Sequence, residues 1–406
     1  MKGVYRRVLL FFLVSPMFAN GQSLDSSFNF LTNQFDKKWT PGSTQLIATT
    51  YAGSNAANTG MFTDFLFRSS FSTKSKESFL NTDLSTANLQ FGNEVRLEYK
   101  ATKKLGLYAD NHEFNSFSFS SDLGKMALFG NKRYAGQTIV SENPQVLQYA
   151  TSDLGFAHNT INSNRWRIKT SAAISVLRGY SNYRASKVEI ETEETGEYID
   201  LTVQNGQWTK LTDKKQGMGV VLGAELRFMP SNTSEIYVKA TGINGYFLPL
   251  GKVYNADTSF RFEGLEYTSI VDGQLNNWTT DSIVNQYINE NRTAKKMVVL
   301  PSKIAFDWNQ TFNQKHQIGI HIQTVGFGQF GNYASLNHDY TFSPKMRLRS
   351  TLGYGDFTNL QLNETLELSL KSVNFIATFY GLNALLLPTQ SHSYGVSAGF
   401  STLLSN

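Results

Sequence analysis

Apolar and polar residues alternate strictly along much of this chain. At its end, in SYGVSAGFSTLLSN, Tyr394, Val396, Ala398 and Phe400 take every second position, with Ser393, Gly395, Ser397 and Gly399 between them. A repeat of two places the two sets on opposite faces of an extended strand. LQFGNEVRLEYK sets Leu89, Phe91, Val95, Leu97 and Tyr99 against Gln90, Glu94, Arg96, Glu98 and Lys100. RWRIKTSAAISV sets Trp166, Ile168, Ala172, Ile174 and Val176 against Arg165, Arg167, Lys169 and Ser171. VVLGAELRF, KIAFDWN, HQIGIHIQ and RLRSTLGY repeat the pattern. In LQLNETLELSLK the same alternation places Glu364 on the face of Leu362, Leu366, Leu368 and Leu370, an anomaly in that segment's register.

Walking the chain gives fourteen expected strands: 45–52, 88–99, 105–115, 150–159, 165–178, 217–229, 235–244, 302–312, 316–327, 331–342, 346–355, 359–370, 373–381 and 392–403. The connections come in two sizes. Short polar turns (101–104, 162–164, 230–234, 313–315, 343–345, 371–372) fall on one side of the count, with both ends of the strand set. Long connections, roughly 53–87, 116–149, 180–216 and 248–301, fall on the other. Short inner turns and long outer loops are the habit of outer-membrane β-barrels. A soluble sandwich would also alternate, but it does not account for the sorting of loops. The fold expected is a single all-β antiparallel transmembrane barrel of 12–16 strands over 22–406.

The first residues fit export. Lys2, Arg6 and Arg7 precede the apolar run Val8–Val14, and Ala19-Asn20-Gly21 supplies a small-residue cleavage site, the layout of a signal peptide over 1–21. Removing 21 of the 406 residues leaves 385, enough for two domains or one large barrel. There is no Cys, so neither a disulfide framework nor a thiol-linked lipid anchor is available. After the signal no apolar run approaches a membrane-spanning helix. Aromatic residues make up 13% of the chain, and an exported, Cys-free chain rich in Gly and aromatics has the profile of an outer-membrane barrel. Without the three basic residues of the signal, 34 basic face 32 acidic groups, so nucleic acid is not an expected partner.

Two outer segments carry their own expectations. TTDSIVNQYINENR has a capping Thr280 and an apolar stripe of Ile283, Val284, Tyr287 and Ile288, which predicts a helix. KVEIETEETGEYIDLTV predicts an acidic hairpin beyond the membrane, either a solvated, charge-protected edge or a divalent-cation or partner-docking site. Segment 116–135 is too apolar for a free loop. Phe117, Phe119, Leu123, Met126 and Phe129 are expected to fold into the barrel mouth or pack along its rim, the alternative being a continued strand with a rim helix.

FSFSSDLGKMALFGNKRYAGQT (117–138), DLGFAH (153–158), ISVLRGYSNY (174–183), EGLEYTSIVDGQ (263–274), LPSKIAFDW (300–308) and FYGLNALLLPTQSHSYGVSAGFS (379–401) occur in that order. In these segments the chain resembles an uncharacterised Gram-negative outer-membrane family with the architecture of long-chain fatty-acid transporter (FadL-like) barrels. Phe129-Gly130-Asn131 and Leu300-Pro301-Ser302-Lys303 are its firmest motifs. The resemblance implies a monomeric barrel with room for inward-folded segments, and no particular activity. Residues 22–60 lack a hatch-like motif, so a fatty-acid gate does not carry over.

With the apolar face toward lipid, the opposite face lines the interior. Its expected charges include Glu94, Arg96, Glu98, Arg165, Arg167 and Lys169 in the first half of the chain. Glu225, Arg227, Lys303, Asp307, Arg347 and Arg349 follow, joined by His321, Asp339 and Glu367. Mixed signs suit either ion pairs that staple the lumen or a charge-selective conduit. Six scattered histidines, with no HExxH, nucleophile elbow or phosphate loop, give no catalytic or metal site and imply no cofactor. Two functional classes remain. One is a gated or partly occluded transporter of a small or amphipathic solute. The other is a closed scaffold subunit that meets envelope proteins through its outer loops. The expected location is the Gram-negative outer membrane, in contact with its lipid, with both termini in the periplasm.

Overall fold

The computed structural model describes residues 41–58, 61, 73–80, 84–195, 197–211, 216–262, 289–326, 331–355, 358–370, 373–383 and 393–403. The signal segment lies outside them. The first half of the chain forms β1 (Ser43–Ser54), β2 (Thr86–Lys100), β3 (Leu105–Ser120), β4 (Thr138–Glu142), β5 (Gln145–Asn162), β6 (Trp166–Arg184), β7 (Lys187–Thr192), β8 (Ile199–Leu211) and β9 (Gly217–Ser231). The second half forms β10 (Ser234–Phe262), β11 (Asn289–Val298), β12 (Lys303–Thr311), β13 (His316–Val325), β14 (Asn332–Ser343), β15 (Met346–Gly355), β16 (Thr358–Ser369), β17 (Val373–Tyr380) and β18 (Ser393–Leu403). Two short helices, α1 (Thr73–Leu80) and α2 (Ser121–Phe129), sit between strands.

The pairing closes into a ring. β1, β2, β3, β5, β6, β9 and β10 pair in turn, all antiparallel. β10 then pairs with β12, each strand from β12 to β18 pairs with the next, and β18 returns to β1. That is a closed wall of fourteen strands, and each overlaps one of the segments expected from the alternation. Closure pairs every strand on both edges, which is what lets a sheet sit in lipid. The wall turns its apolar residues outward: Leu107, Leu154, Ile174, Met218 and Leu336 are all at least half exposed. Its interior is polar, with Gln45, Gln90, Asn363, Thr365 and Ser397 buried. This inverts a soluble sandwich and matches a membrane barrel. Near the short turns, Tyr99, Trp166, Phe312 and Phe342 are exposed, and Trp166 stacks on Phe228 at 4.1 Å between ring centres, as in an interfacial girdle.

The short turns are closed by their own side chains. Thr102 Oγ1 accepts from the amides of Lys104 and Leu105, and Asn313 Oδ1 from those of Lys315 and His316. Such local bonds explain why Thr, Ser and Asn recur there. A second device lies inside. Five inward tyrosines stand directly opposite a glycine on the next strand: Tyr51–Gly92, Tyr108–Gly155, Tyr246–Gly219, Tyr333–Gly355 and Tyr380–Gly395. The ring lies where a side chain would be. A Cβ at Gly219 would meet Tyr246 Cδ1 at 2.6 Å, and one at Gly353, two residues from Gly355, would collide with the Tyr333 hydroxyl. Aromatic cover of sheet glycines both fills the wall and pins register.

Four strands lie beyond the wall. β4 pairs with β7, and β7 with β8. β8 joins the outer ends of β6 and β10, and β11 pairs with β10. The acidic segment is therefore a hairpin, as its pattern implied. Much of the connections 180–216 and 248–301 is strand rather than loop, because the outer half of β10 finds β8 as a partner along Gly251–Phe262. The expected helix in 279–292 is corrected over its last residues: Asn289–Arg292 belong to β11, and the rest falls outside the described residues. Tertiary pairing overrides local helical preference there.

Glu364 does face outward. Its neighbours Asn363 and Thr365 are buried inward, no register shift falls at Glu364, and Ser350 Oγ donates to its carboxylate at 3.0 Å. In segment 116–135, β3 runs on to Ser120 and α2 follows. Ser120 caps the helix, its Oγ accepting from the amide of Leu123, and Gly130 ends it at φ 83°. Phe119 and Leu128 pack with Ala56, Met61, Phe79 and Ala87 over the outer ends of β1–β3, so the segment takes the form of a continued strand with a rim helix. Phe117 stacks on Phe91, Met126 is buried, and Phe129 lies between Lys76 and Arg133.

Candidate functional site: the lumen

The half of the lumen nearer the short turns holds a chain of ion pairs. Lys169 reaches Glu98 and Glu225, each at 3.7 Å, and Lys239 reaches Glu225 at 3.8 Å. Glu98 also accepts from Gln45 at 3.0 Å and lies 3.5 Å from Arg96. Arg96 extends to Asp110 at 3.9 Å and stacks over Tyr108. Across the barrel, Asp339 takes both Arg347 and Arg349, with one Arg349 contact at 2.8 Å, and Arg347 also lies 3.9 Å from Glu367. Asp307 bonds His321 Nδ1 at 2.8 Å. Glu98, Lys169, Lys239 and Asp339 are nearly wholly buried. Buried charges are tolerated when each has a partner, and the alternating signs along neighbouring strands supply them.

Of the charges expected in the interior, Glu94, Arg96 and Lys303 line one cavity. Arg227 pairs with Glu235 at 2.7 Å near the short-turn end, where the half-buried Arg167 donates to Asn159 at 3.3 Å. Arg165 is exposed in the turn before β6, its carbonyl bonded by the amide of Met229, and it takes no part in the lumen network. Sequence reasoning missed Lys239, Asp110 and Asp153. In YADNHEF both faces carry polar residues, so the repeat of two does not by itself separate inside from outside.

The half of the lumen toward the long loops is apolar. Phe114, Leu147, Tyr149, Leu177, Tyr180, Tyr246, Leu248 and Leu300 pack together as one buried cluster with Leu211, Val298 and Val325. Two cavities flank it. One, of about 340 Å³, opens among Tyr180, Asn182, Arg184, Gln207, Thr209 and Lys296. The other, of about 100 Å³, lies deeper, among Arg96, Tyr108, Asp110, Asp153, Lys239 and Tyr246. Leu300 and Pro301 line both. This stretch carries the chain from β11 to β12 and is pinned at Leu300: its amide donates to Asn244 Oδ1 at 2.8 Å, and Asn244 Nδ2 donates back to its carbonyl at 3.3 Å. Asn244 follows a register shift between Ala240 and Ile243, where Gly242 takes the left-handed φ of 69°. The bulge turns Asn244 toward the crossing chain. The first two residues of Leu300-Pro301-Ser302-Lys303, a motif prominent in the sequence, thus border both cavities.

No family model and no curated protein matches the chain. Among solved structures it is similar to the toluene transporter TbuX of Ralstonia pickettii, at 6% identity over 90% of each chain with a TM-score of 0.44. It is also similar to a FadL homologue of Pseudomonas aeruginosa, at 8% over 89% of this chain and 90% of that one with a TM-score of 0.44. The outer-membrane protease OmpT of Escherichia coli matches at 8% over 89% of this chain and 97% of that one with a TM-score of 0.25. Likeness at this level carries no argument about activity, and the barrel assignment rests on the pairing of the strands.

Proposed function

We propose that this chain is an outer-membrane barrel that passes a small polar or amphipathic solute through its lumen, with Leu300 and Pro301 as the closing element. The observation that carries this reading is the pair of cavities in series, divided by one pinned crossing segment. A scaffold needs no compartments in its lumen, whereas a gated path needs a site on each side of a removable barrier. The apolar exterior supports a wall set in lipid. In this reading the short turns and both ends of the strand set face the periplasm, and β4, β7, β8 and β11 face outward from the cell.

The test is planar-bilayer conductance of the refolded mature protein, compared with Leu300→Gly and Asn244→Ala. Both variants loosen the contact between Asn244 on β10 and the crossing chain and leave the lipid-facing side chains unchanged. The expected result is rare or brief openings in the parent and at least fivefold more open time in either variant. If parent and variants are alike silent, and the protein isolated from membranes carries other envelope proteins with it, the transport reading is replaced by the scaffold one.

A further inference from the structure

The deeper cavity is lined by charges of both signs, Glu94, Asp110 and Asp153 with Arg96, Lys239 and Lys303. From the structure we infer that it binds a small zwitterion of amino-acid size, its ammonium group between Asp110 and Asp153 and its carboxylate toward Lys239 and Lys303. This deepens the transport reading and rests on it for the direction of travel.

Three observations carry the inference. First, Asp110 and Asp153 are direct cross-strand partners on the inner face of β3 and β5. Like charges directly opposite each other are destabilising in a sheet. Arg167 and Arg227 form the comparable basic pair, but Arg227 has Glu235 at 2.7 Å. Arg96 lies 3.9 Å from Asp110 and is also shared with Glu98. Asp153 accepts from the Ser175 hydroxyl, which is itself bonded to Tyr246 Oη at 2.8 Å. Asp110 Oδ1 is shielded from solvent and has no hydrogen-bond donor among the described residues. An ammonium group offers three donors and a positive charge, a match for Asp110 Oδ1 and for two carboxylates set side by side.

Second, the basic groups come from elsewhere on the wall. Lys239 on β10 and Lys303 on β12 stand three and four strands round the ring from β5, the nearer strand of the acidic pair, and line the same cavity. A ligand with separated charges of both signs matches such a lining, whereas a net anion or cation meets one like-charged wall. Third, size restricts the ligand. A cavity of about 100 Å³ has room for about three waters at ~30 Å³ each, so only a ligand as small as the smallest amino acids fits. Tyr108, Tyr149 and Tyr246 add ring faces that attract an ammonium group.

The test is calorimetric titration of the detergent-folded mature protein with four probes of matched size: L-alanine, propylamine, propionate and 1,2-propanediol. Alanine is expected to bind at least tenfold more tightly than the other three. Asp153→Asn and Asp110→Asn are each expected to weaken alanine at least tenfold, and Lys303→Gln to bring alanine to the level of propylamine. Gel mobility with and without heating reports folding, so a variant that fails to fold is set aside and the remaining two decide. Absence of alanine binding to the folded parent, equal binding of all four probes, or unchanged binding in the folded variants would each overturn the site. Alanine binding without ligand flux would keep the site and overturn transport. Flux of other solutes without alanine binding would do the reverse.

Discussion

At the scale of residues, the interior is held by partners that are costly to separate. Asp339 is buried with two guanidinium groups upon it. Replacing Arg349 with Ala leaves that carboxylate half-compensated, and removing one member of a buried pair costs about 3–5 kcal/mol. The expected outcome is a matching fall in the urea midpoint of the folded barrel. Double replacement of Arg349 and Asp339 by Met and Leu is expected to recover most of it. The tyrosine–glycine contacts respond to volume instead. Gly219→Val places methyls where the Tyr246 ring lies, and overpacking of this kind costs about 1–3 kcal/mol. Slower folding into lipid vesicles, followed by gel mobility, is the expected result, with Gly219→Val,Tyr246→Ala partly restoring the rate.

At the scale of elements, the outer sheet depends on the match between β8 and the long β10. Arg261 and Asp200 are cross-strand partners joined by two bonds of 2.9 Å. The Arg261 guanidinium holds the Asp200 carboxyl below its ordinary range. A carboxylate whose pKa is depressed in the folded state contributes stability above its unfolded pKa, and that contribution is lost as pH falls through the folded value. The pairing is therefore expected to persist at pH 5–7 and to weaken below about pH 4. Proteolysis between β10 and β11 by an acid-tolerant protease should rise over that range, and Asp200→Asn should remove the pH dependence. A flat profile in the parent would mean that backbone pairing alone holds this edge.

For the whole molecule, the apolar exterior is what the bilayer meets, and Glu364 is an exception within it. Its only described hydrogen bond is from Ser350. A carboxyl on the lipid face carries a depth-dependent cost, smaller than the 2–4 kcal/mol of a basic residue at the midplane. Glu364→Leu is expected to stabilise the barrel in vesicles by up to about 2 kcal/mol, with little change in detergent, where the face is wetter. A loss of stability in vesicles would show that Glu364 has a partner in the membrane.

The sequence by itself pointed to fourteen wall strands, within a range of 12–16, and determined which face of each is apolar. It also sorted short turns from long connections, because a repeat of two is local and every pleat displays it. The alternating charges of β2, β6, β9, β12 and β15 were legible for the same reason. Only the tertiary structure decided which charges meet. Lys239 joins Lys169 on Glu225 because β10 and β6 flank β9, a neighbourhood set by ring closure rather than by spacing along the chain. The aspartate pair of β3 and β5 was hidden likewise: one strand mixes polar residues on both faces, and α2 and β4 intervene in sequence. Leu300-Pro301 was visible as a motif, but its place between two cavities follows from the bulge that turns Asn244 toward it, a consequence of pairing that no local pattern encodes.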